Sequence, residues 1–598
     1  MNTRYTVIES GKTNYYIKTN RDSELDFSAK ELQLLLEEST GVAIDIEKTE
    51  SEDKNFISLE ETTDTLLYPE LDKLNSQGYL VKVKDGNIHI VSKSTEGVSN
   101  GVYGFLEKIL NFDCFYDKVY HIDKVDRLVV EEMTYSSNPD IEFRVASYGY
   151  QKLNEDTKRR MRLMNYEEIF ANTTMGQYHN IFGYISPEEF YETHPEWFND
   201  DKTQLCYTAH GDDQSLNKMI ETVATKMFNY FRQSLSSEII IALNDLETRC
   251  NCDKCNSEKE KYGADSGAFI KFLNKVAIVL KQKFIDVGDS RANTFHIVFY
   301  AYFYLEDAPV KIKKYPNGNL FYDGNGDVVF FYDSEIVLNE HVSPMICQFW
   351  LDYHKSYYSP SNFKYIEIIK KWGAISKNIH LWTYDQYFCN GGYMLPYNSF
   401  KHVQDMYRMA KSHNIAWLYP EGQVYNKNST GFVAYRGYLQ SKLAWNVDED
   451  VCKLKSKFFE KMYGSKKIEM IALFDDVTAH LDHLGNDYGV TGWCHNHTLY
   501  ELGYWPKATV KGWIDRAIEI EKELLRQEDY SSAKNVRLET ISFLYIFLRI
   551  YKNSLVEEEK ERYISLIKQY IDEFSIIMRC QEMQMSVYLD KIDTIANV

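Results

Sequence analysis

The chain has 598 residues, 44% of them hydrophobic and 26% charged, with a formal charge of −20 from 68 basic and 88 acidic side chains. That balance disfavours non-specific binding to nucleic acid or to an anionic membrane, since both need a basic footprint. No apolar run approaches the roughly 20 residues that span a bilayer, and the opening segment MNTRYTVIESGKTNYYIKTN lacks the apolar core of a secretory signal, so a cytoplasmic location is expected.

Residues 1–137 read as a small α+β unit. Leucines at helical spacing over 29–38 (AKELQLLLEE) predict a helix that Thr40-Gly41 closes, and 42–46 reads as a strand. Runs at 78–83 and 87–91 flank Lys84-Asp85-Gly86 and predict a hairpin. A helix follows over 97–110. From 138 to 440 the texture changes to β/α alternation. Strands are expected near 141–148, 181–185, 238–244, 294–302, 345–351, 379–384 and 415–419, with helices such as 212–234 and 267–284 between them. Strand, helix, strand in this order predicts a parallel sheet, and seven or eight such units over about 300 residues predict an α/β fold of (β/α)8 TIM type. A doubly wound sheet is the weaker alternative, because no G-x-G-x-x-G follows any strand. Residues 441–598 turn helical, with apolar residues three and four apart.

Such a barrel carries its site at the C-terminal strand ends. The polar and aromatic residues gathered there are Arg144, His179, Asn244, Asp245, Glu247, Tyr302, Asp352, Trp382, Tyr384, Asp385 and Glu421. His179 fits least well, because it precedes its strand. Carboxylates, one cation, a histidine and aromatic rings are what a carbohydrate site is built from, because the apolar face of a sugar stacks on π faces. The chain is unusually rich in such rings, with 47 Tyr, 32 Phe and 9 Trp. If the strand persists through Glu247, Asp245 and Glu247 point the same way; otherwise Asp245 caps a turn and Glu247 is exposed. Glu421 follows the apolar run Ala416-Trp417-Leu418-Tyr419 and Pro420. Burial beside aromatics would raise its pKa and suit it to general acid work; the alternative is a loop glutamate ahead of Gly422.

Three cysteines follow the carboxylates as Cys250-x-Cys252-x-x-Cys255. Zinc typically takes four ligands, and Cys206 could be the fourth. A structural zinc and a loop-stiffening disulfide are both open; a catalytic zinc lacks an accompanying histidine set, and a redox loop lacks a thioredoxin-like context. No organic cofactor is implied.

The phrases His194-Pro195-Glu196-Trp197-Phe198, Gln204-Leu205-Cys206, Asn244-Asp245 with the cysteines, Trp382-Thr383-Tyr384, Glu421-Gly422, Gly437 to Trp445 and Phe458 to Gly464 run in one order along 140–480. On these the chain resembles the large bacterial group called domain of unknown function 4838, which includes the family 163 endo-β-N-acetylglucosaminidases. Residues 1–137 resemble, more weakly, the accessory domain ahead of the barrel in family 20 hexosaminidases and family 67 glucuronidases. The resemblance implies a retaining β-N-acetylhexosaminidase acting through the substrate's own acetamide. Asp245, with Glu247, would orient the acetamide, and Glu247 or Glu421 would serve as acid and base. Arg144, His179, Trp382 and Tyr384 would hold an oligosaccharide or polysaccharide. Group members that digest host glycans are usually exported, so a chain without an export signal would trim imported or self-made oligosaccharides. The alternatives are a glucuronidase-like or other carboxylate-pair glycosidase, and a non-catalytic glycan-binding or polysaccharide-assembly protein on the same barrel.

Overall fold

The computed structural model describes residues 3–19, 25–47, 53–165, 169–172, 179–324, 326, 328–581 and 583–592. The mixed α/β chain forms two compact units, neither continuous in sequence. The first comprises Met1–Met164, Asp385–Arg408 and Gly422–Val598; the second comprises Asn165–Tyr384 and Met409–Glu421.

The first unit contains a sheet of six strands: β1 (Tyr15–Thr19), β2 (Ile46–Glu47), β3 (Asn55–Glu61), β4 (Tyr79–Lys84), β5 (Asn87–Ser92) and β6 (Met133–Ser137). They line up as β6-β4-β5-β3-β1-β2. β1, β2, β3 and β5 run parallel, whereas β4 is antiparallel to both its neighbours. The β4–β5 hairpin closes on Asp85 (φ 52°) and Gly86 (φ 83°). Positive φ at both central residues is the two-residue turn whose twist matches paired strands, which is why Asp-Gly signals it in sequence. Helix α1 (Asp26–Thr40) ends at Gly41 in the left-handed region, its amide bonded to Glu37 O. Helix α2 (Thr95–Leu110) starts at Ser94, whose side chain accepts from Gly97 N.

Glycines on α2 let it sit close on β4 and β5. A Cβ on Gly101 would stand 2.6 Å from Ile90 Cγ2 and 3.1 Å from Tyr79 Cβ. The same unit contains a buried carboxylate, Asp113. It pairs with Lys442 and Lys457, each at 2.7 Å, and accepts from Tyr438 Oη at 2.9 Å. Asp113 thereby fixes the N-terminal chain to helices Val433–Trp445 and Val451–Tyr463. Four longer helices complete the unit: Lys467–Asp487, Lys507–Arg526, Tyr530–Tyr551 and Glu557–Phe574. Tyr530–Tyr551 buries nearly every side chain from Leu538 to Leu548 and is the core of this layer.

The second unit contains five parallel strands, β7 (Glu238–Ile241), β8 (His296–Ala301), β9 (Val342–Cys347), β10 (Ile379–Tyr384) and β11 (Ile415–Glu421), in that order across a curled half-barrel sheet. Helix α3 (Asp213–Arg232) precedes β7, α4 (Asp253–Tyr262) and α5 (Ser266–Asp286) lie between β7 and β8, and α6 (Phe363–Ile375) lies between β9 and β10. Alternation along each strand separates two faces. Phe299 packs on Phe269 of α5 and Trp372 of α6, at 5.3 and 5.5 Å between ring centroids, which marks its face as the helix-covered one. Its neighbours Val298 and Tyr300 therefore belong to the inner face.

Five expected strands differ: of 42–46 only Ile46 is in a strand, and β9 ends at Cys347, short of 351. Only Phe143–Arg144 is extended within 141–148, and β7 stops at Ile241, short of Asn244. Residues 181–185 form a short helix, Ile181–Tyr184, instead of a strand. The reason lies in side chains. Asn172 Oδ1 accepts from Ile240 N, Asn180 Oδ1 accepts from Ala242 N, and both amides and Tyr184 Oη donate to Ile240 O. These groups occupy β7's open edge, which would otherwise present unpaired backbone donors and acceptors.

Gly101→Ala tests the α2 packing. Helix propensity alone would favour alanine by about 1 kcal/mol, but overpacking costs about 1–3 kcal/mol. The variant is expected to unfold at lower urea concentration; a raised midpoint would contradict the close approach.

Candidate active site

The inner face of the half-barrel can be followed from strand to strand, because paired residues of parallel strands share a face. Tyr300 pairs with Met345, Met345 with His380, Cys347 with Trp382, His380 with Trp417, Trp382 with Tyr419, and Tyr384 with Glu421. Aromatic side chains thus converge towards the C-terminal strand ends. Trp382 is their hub, with ring centroids 5.3 Å from Tyr300, 4.6 Å from Tyr419 and 6.4 Å from Tyr384. Phe349 extends the surface, 5.4 Å from Tyr384 and 6.0 Å from Tyr302.

Glu421 closes β11 within this surface. Trp382 Nε1–H donates to its Oε2 at 2.9 Å. Burial pushes the Glu421 carboxyl up to about 7, and the indole hydrogen bond offsets only part of that. A neutral N–H donor steadies a carboxylate less than a cation does, so the acid keeps its proton near neutrality. A second carboxyl, Glu306, follows β8 and was not singled out in the sequence. Burial raises it to about 7, Lys364 opposes the shift and Asp307 adds to it. The Cys347 thiol, raised chiefly by its own burial, interacts with both Glu421 and Glu306. The signal for Glu306 was weak: an acidic pair, Glu306-Asp307, ending the aromatic run after β8.

Asp245 and His179 occupy the other edge of the sheet. His179 Nδ1 lies 2.9 Å from Leu243 O. A carbonyl can only accept, so Nδ1 carries the proton and Nε2 faces Asp245 Oδ1 at 3.8 Å. The imidazole approaches Tyr300 and Tyr302, each at 6.4 Å between centroids. A chain of side chains therefore runs from Asp245 through His179, Tyr300 and Trp382 to Glu421. Asp245 is largely exposed, with 60% of its side chain accessible. Asp245 follows β7 and Glu421 ends β11, four strands away across the sheet, so the two carboxylates are not an adjacent pair.

The remaining sequence candidates fall into three groups. Tyr302, Trp382 and Tyr384 belong to the aromatic surface. Asn244 belongs to the loop, where Gln204 clamps it: Gln204 Oε1 accepts from Asn244 N, and Gln204 Nε2 donates to Asn244 O at 2.9 Å. Glu247 is exposed beyond the strand, so the expected alternation with Asp245 does not hold. Arg144, Asp352 and Asp385 make local structural contacts. Arg144 is buried, and its guanidinium donates to the carbonyls of Arg162, Ile141 and Glu142 and to Gln77 Oε1, stacked over Trp445. A fork so occupied is engaged in local packing. Asp352 caps a turn through His354 N and pairs with Lys355. Asp385, pushed up to about 6 by burial against the pull of Arg436 and Gln440, accepts from Gln440 within the first unit.

Because the folded Glu421 binds a proton that the unfolded chain releases, its ionisation opposes folding. That cost develops as pH rises from the ordinary carboxyl value of 4.5 to about 7. Glu421→Gln is therefore expected to gain urea resistance relative to wild type across this window and to hold the gain above it. A difference that does not change with pH would show that Glu421 ionises normally.

Among the described residues no helix is long and apolar enough to cross a membrane. No curated protein matches the chain. Among solved structures it is similar to CpGH84B, with 12% identity, a TM-score of 0.43, and 99% of this chain and 98% of that one covered. It is also similar to a protein described as a GH138 enzyme targeting pectin rhamnogalacturonan II. There the identity is 10%, the TM-score 0.46, and the coverage 94% of this chain and 91% of that one. The family model described as domain of unknown function (DUF4838) matches residues 117–322 and 333–476, more than half of the chain, and the chain belongs to that family.

Proposed function

We propose that the protein is a glycoside hydrolase that cleaves an oligosaccharide or polysaccharide on the inner face of the half-barrel, with Glu421 as general acid. The observation that carries this reading is the Glu421–Trp382 pair: a carboxyl whose pKa is raised to about 7, hydrogen-bonded to an indole among Tyr300, Tyr419 and Tyr384. An acid protonated near neutrality can deliver its proton to a leaving glycosidic oxygen. The rings beside it offer apolar faces to the sugar. The (β/α)8 barrel with accessory regions at 1–137 and 441–598 is part of the same proposal.

On the acetamide-assisted route, Glu421 protonates the departing oxygen while the 2-acetamido oxygen of the substrate attacks the anomeric carbon. The bond to the leaving group breaks and a bicyclic oxazolinium forms. Water then adds at the anomeric carbon, Glu421 carboxylate takes its proton, and the acetamide is regenerated. Asp245 and His179 would bind sugar further along the aromatic surface, which suits a substrate of several rings. Two carboxyls raised by burial also favour a second reading. Glu306 and Glu421 are both raised to about 7 and both influence Cys347. A carboxylate-pair glycosidase would use Glu306 as the second group and would not need an acetamide.

Aryl β-glycosides with and without the 2-acetamido group separate these routes. Glu421→Gln is expected to lower kcat by about 100- to 10,000-fold on poor leaving groups. On activated aryl leaving groups, which need little protonation, the loss should be much smaller. Equal loss on both would remove Glu421 from the acid role. Retention of only the 2-acetamido substrates supports the first route. Equal rates on both sugar series, with collapse in Glu306→Gln, support the second.

A further inference from the structure

Two loops of the second unit bring four thiols together. Cys206 follows the Gln204 clamp, while Cys250 and Cys252 lead into α4 and Cys255 lies in its first turn. Cys206 Sγ lies 3.8 Å from Cys252 Sγ and 3.6 Å from Cys255 Sγ. Cys250 interacts with the thiols of both Cys206 and Cys255. The sulfurs of Cys206, Cys250 and Cys252 and a ring nitrogen of His210 all lie within 4.8 Å of one another. All four cysteines are free.

These spacings are those of a metal–thiolate centre. Four sulfurs placed about 2.3 Å from one zinc ion in a tetrahedron stand about 3.8 Å apart. Uncoordinated thiols gain little from such crowding, since S–H is a weak donor and sulfur a weak acceptor. Donors also surround the sulfurs, as they do around metal thiolates. His210 N–H points to Cys206 Sγ at 3.3 Å, Cys255 N–H points to Cys252 Sγ at 3.4 Å, and Thr208 Oγ1 lies 3.3 Å from Cys206 and Cys255. Cys252 is moreover the N-cap of α4, where the helix dipole favours negative charge.

We infer that Cys206, Cys250, Cys252 and Cys255 form a structural zinc site that ties the loop after Gln204 to the loop bearing Asn244 and Asp245. His210 is a fifth donor within reach, its Nε2 bonded to Phe198 O at 3.0 Å and its backbone N–H to Cys206; Cys255, with its sulfur 3.6 Å from that of Cys206, takes the fourth position in its place. Thiolate sulfur in a closed tetrahedron selects zinc among common divalent ions, and no open coordination position is left for chemistry. The two tied loops are the ones that Gln204 already clamps, so the metal and the clamp act on the same segment. The inference does not depend on the glycosidase reading.

Elemental analysis of the full chain, purified under reducing, chelator-free conditions, tests it. One zinc per chain is expected. Cobalt replacement should give intense sulfur-to-cobalt charge-transfer absorption with tetrahedral d–d bands. Cys206→Ser, Cys252→Ser and Cys255→Ser should lose the metal; His210→Ala and the control Cys347→Ser should keep it. Because a cysteine variant can misfold, wild type is also treated with a strong chelator: its melting temperature should fall and zinc should restore it. Metal-free protein whose four thiols react freely in the native state would overturn the site. A disulfide among them in protein kept reduced would do the same. Loss of zinc in His210→Ala with retention in Cys255→Ser would overturn the four-thiolate set.

Discussion

A carboxylic acid held among aromatic rings by a single neutral donor is the interaction on which the functional reading depends. Removing a carboxylate from water is costly unless a cation or several hydrogen bonds replace the lost hydration. At Glu421 the replacement is the Trp382 indole N–H alone among the bonds that define the site, so the protein holds the neutral form to a higher pH. The contrast with Asp113 is instructive. That carboxylate is still more deeply buried, but two lysines and a tyrosine hydroxyl surround it, and it fastens structure. Burial is common to both; the partners decide which carboxyl can trade a proton.

The rest of the second unit follows from presenting that acid. Strand alternation sends Trp382 and Tyr384 to the same side as Glu421, and the helices cover the opposite side through Phe299, Phe269 and Trp372. At the other edge, β7 is completed by side chains. Asn172, Asn180 and Tyr184 take its backbone groups, and His179, just ahead of Asn180, is thereby set against Leu243 O and Asp245. The Gln204 clamp on Asn244 fixes where the Asp245 loop leaves the strand. Each contact is local, yet together they place a histidine, a carboxylate and an aromatic surface along one sheet.

Much of this was legible in the residues. The Asp-Gly hairpin, the Leu-rich helix closed by glycine, and the strands over 379–384 and 415–419 all followed from turn chemistry and period, though the last runs on to Glu421. What escaped was decided by hydrogen bonds that no periodicity reports. The apolar stretch at 181–185 suits a strand or a buried helix equally, and the asparagines that claim β7's edge settle it. The sugar-binding role of Arg144 is implied by the resemblance, whereas its hydrogen bonds to three backbone carbonyls and a glutamine show only in the fold. Glu306 was hidden because its significance comes from burial beside distant residues, which sequence order does not show. The cysteine spacing was visible, but the approach of Cys206 to Cys252 and Cys255 required the fold.

A crystal structure of Glu421→Gln with an uncleaved oligosaccharide is the most direct measurement of the central claim. A sugar ring packed on the Trp382 surface, with a glycosidic oxygen within hydrogen-bond reach of residue 421, is the expected result. An oligosaccharide seated elsewhere, with residue 421 still bonded only to Trp382, would contradict the assignment of this face as the place where sugar is cleaved.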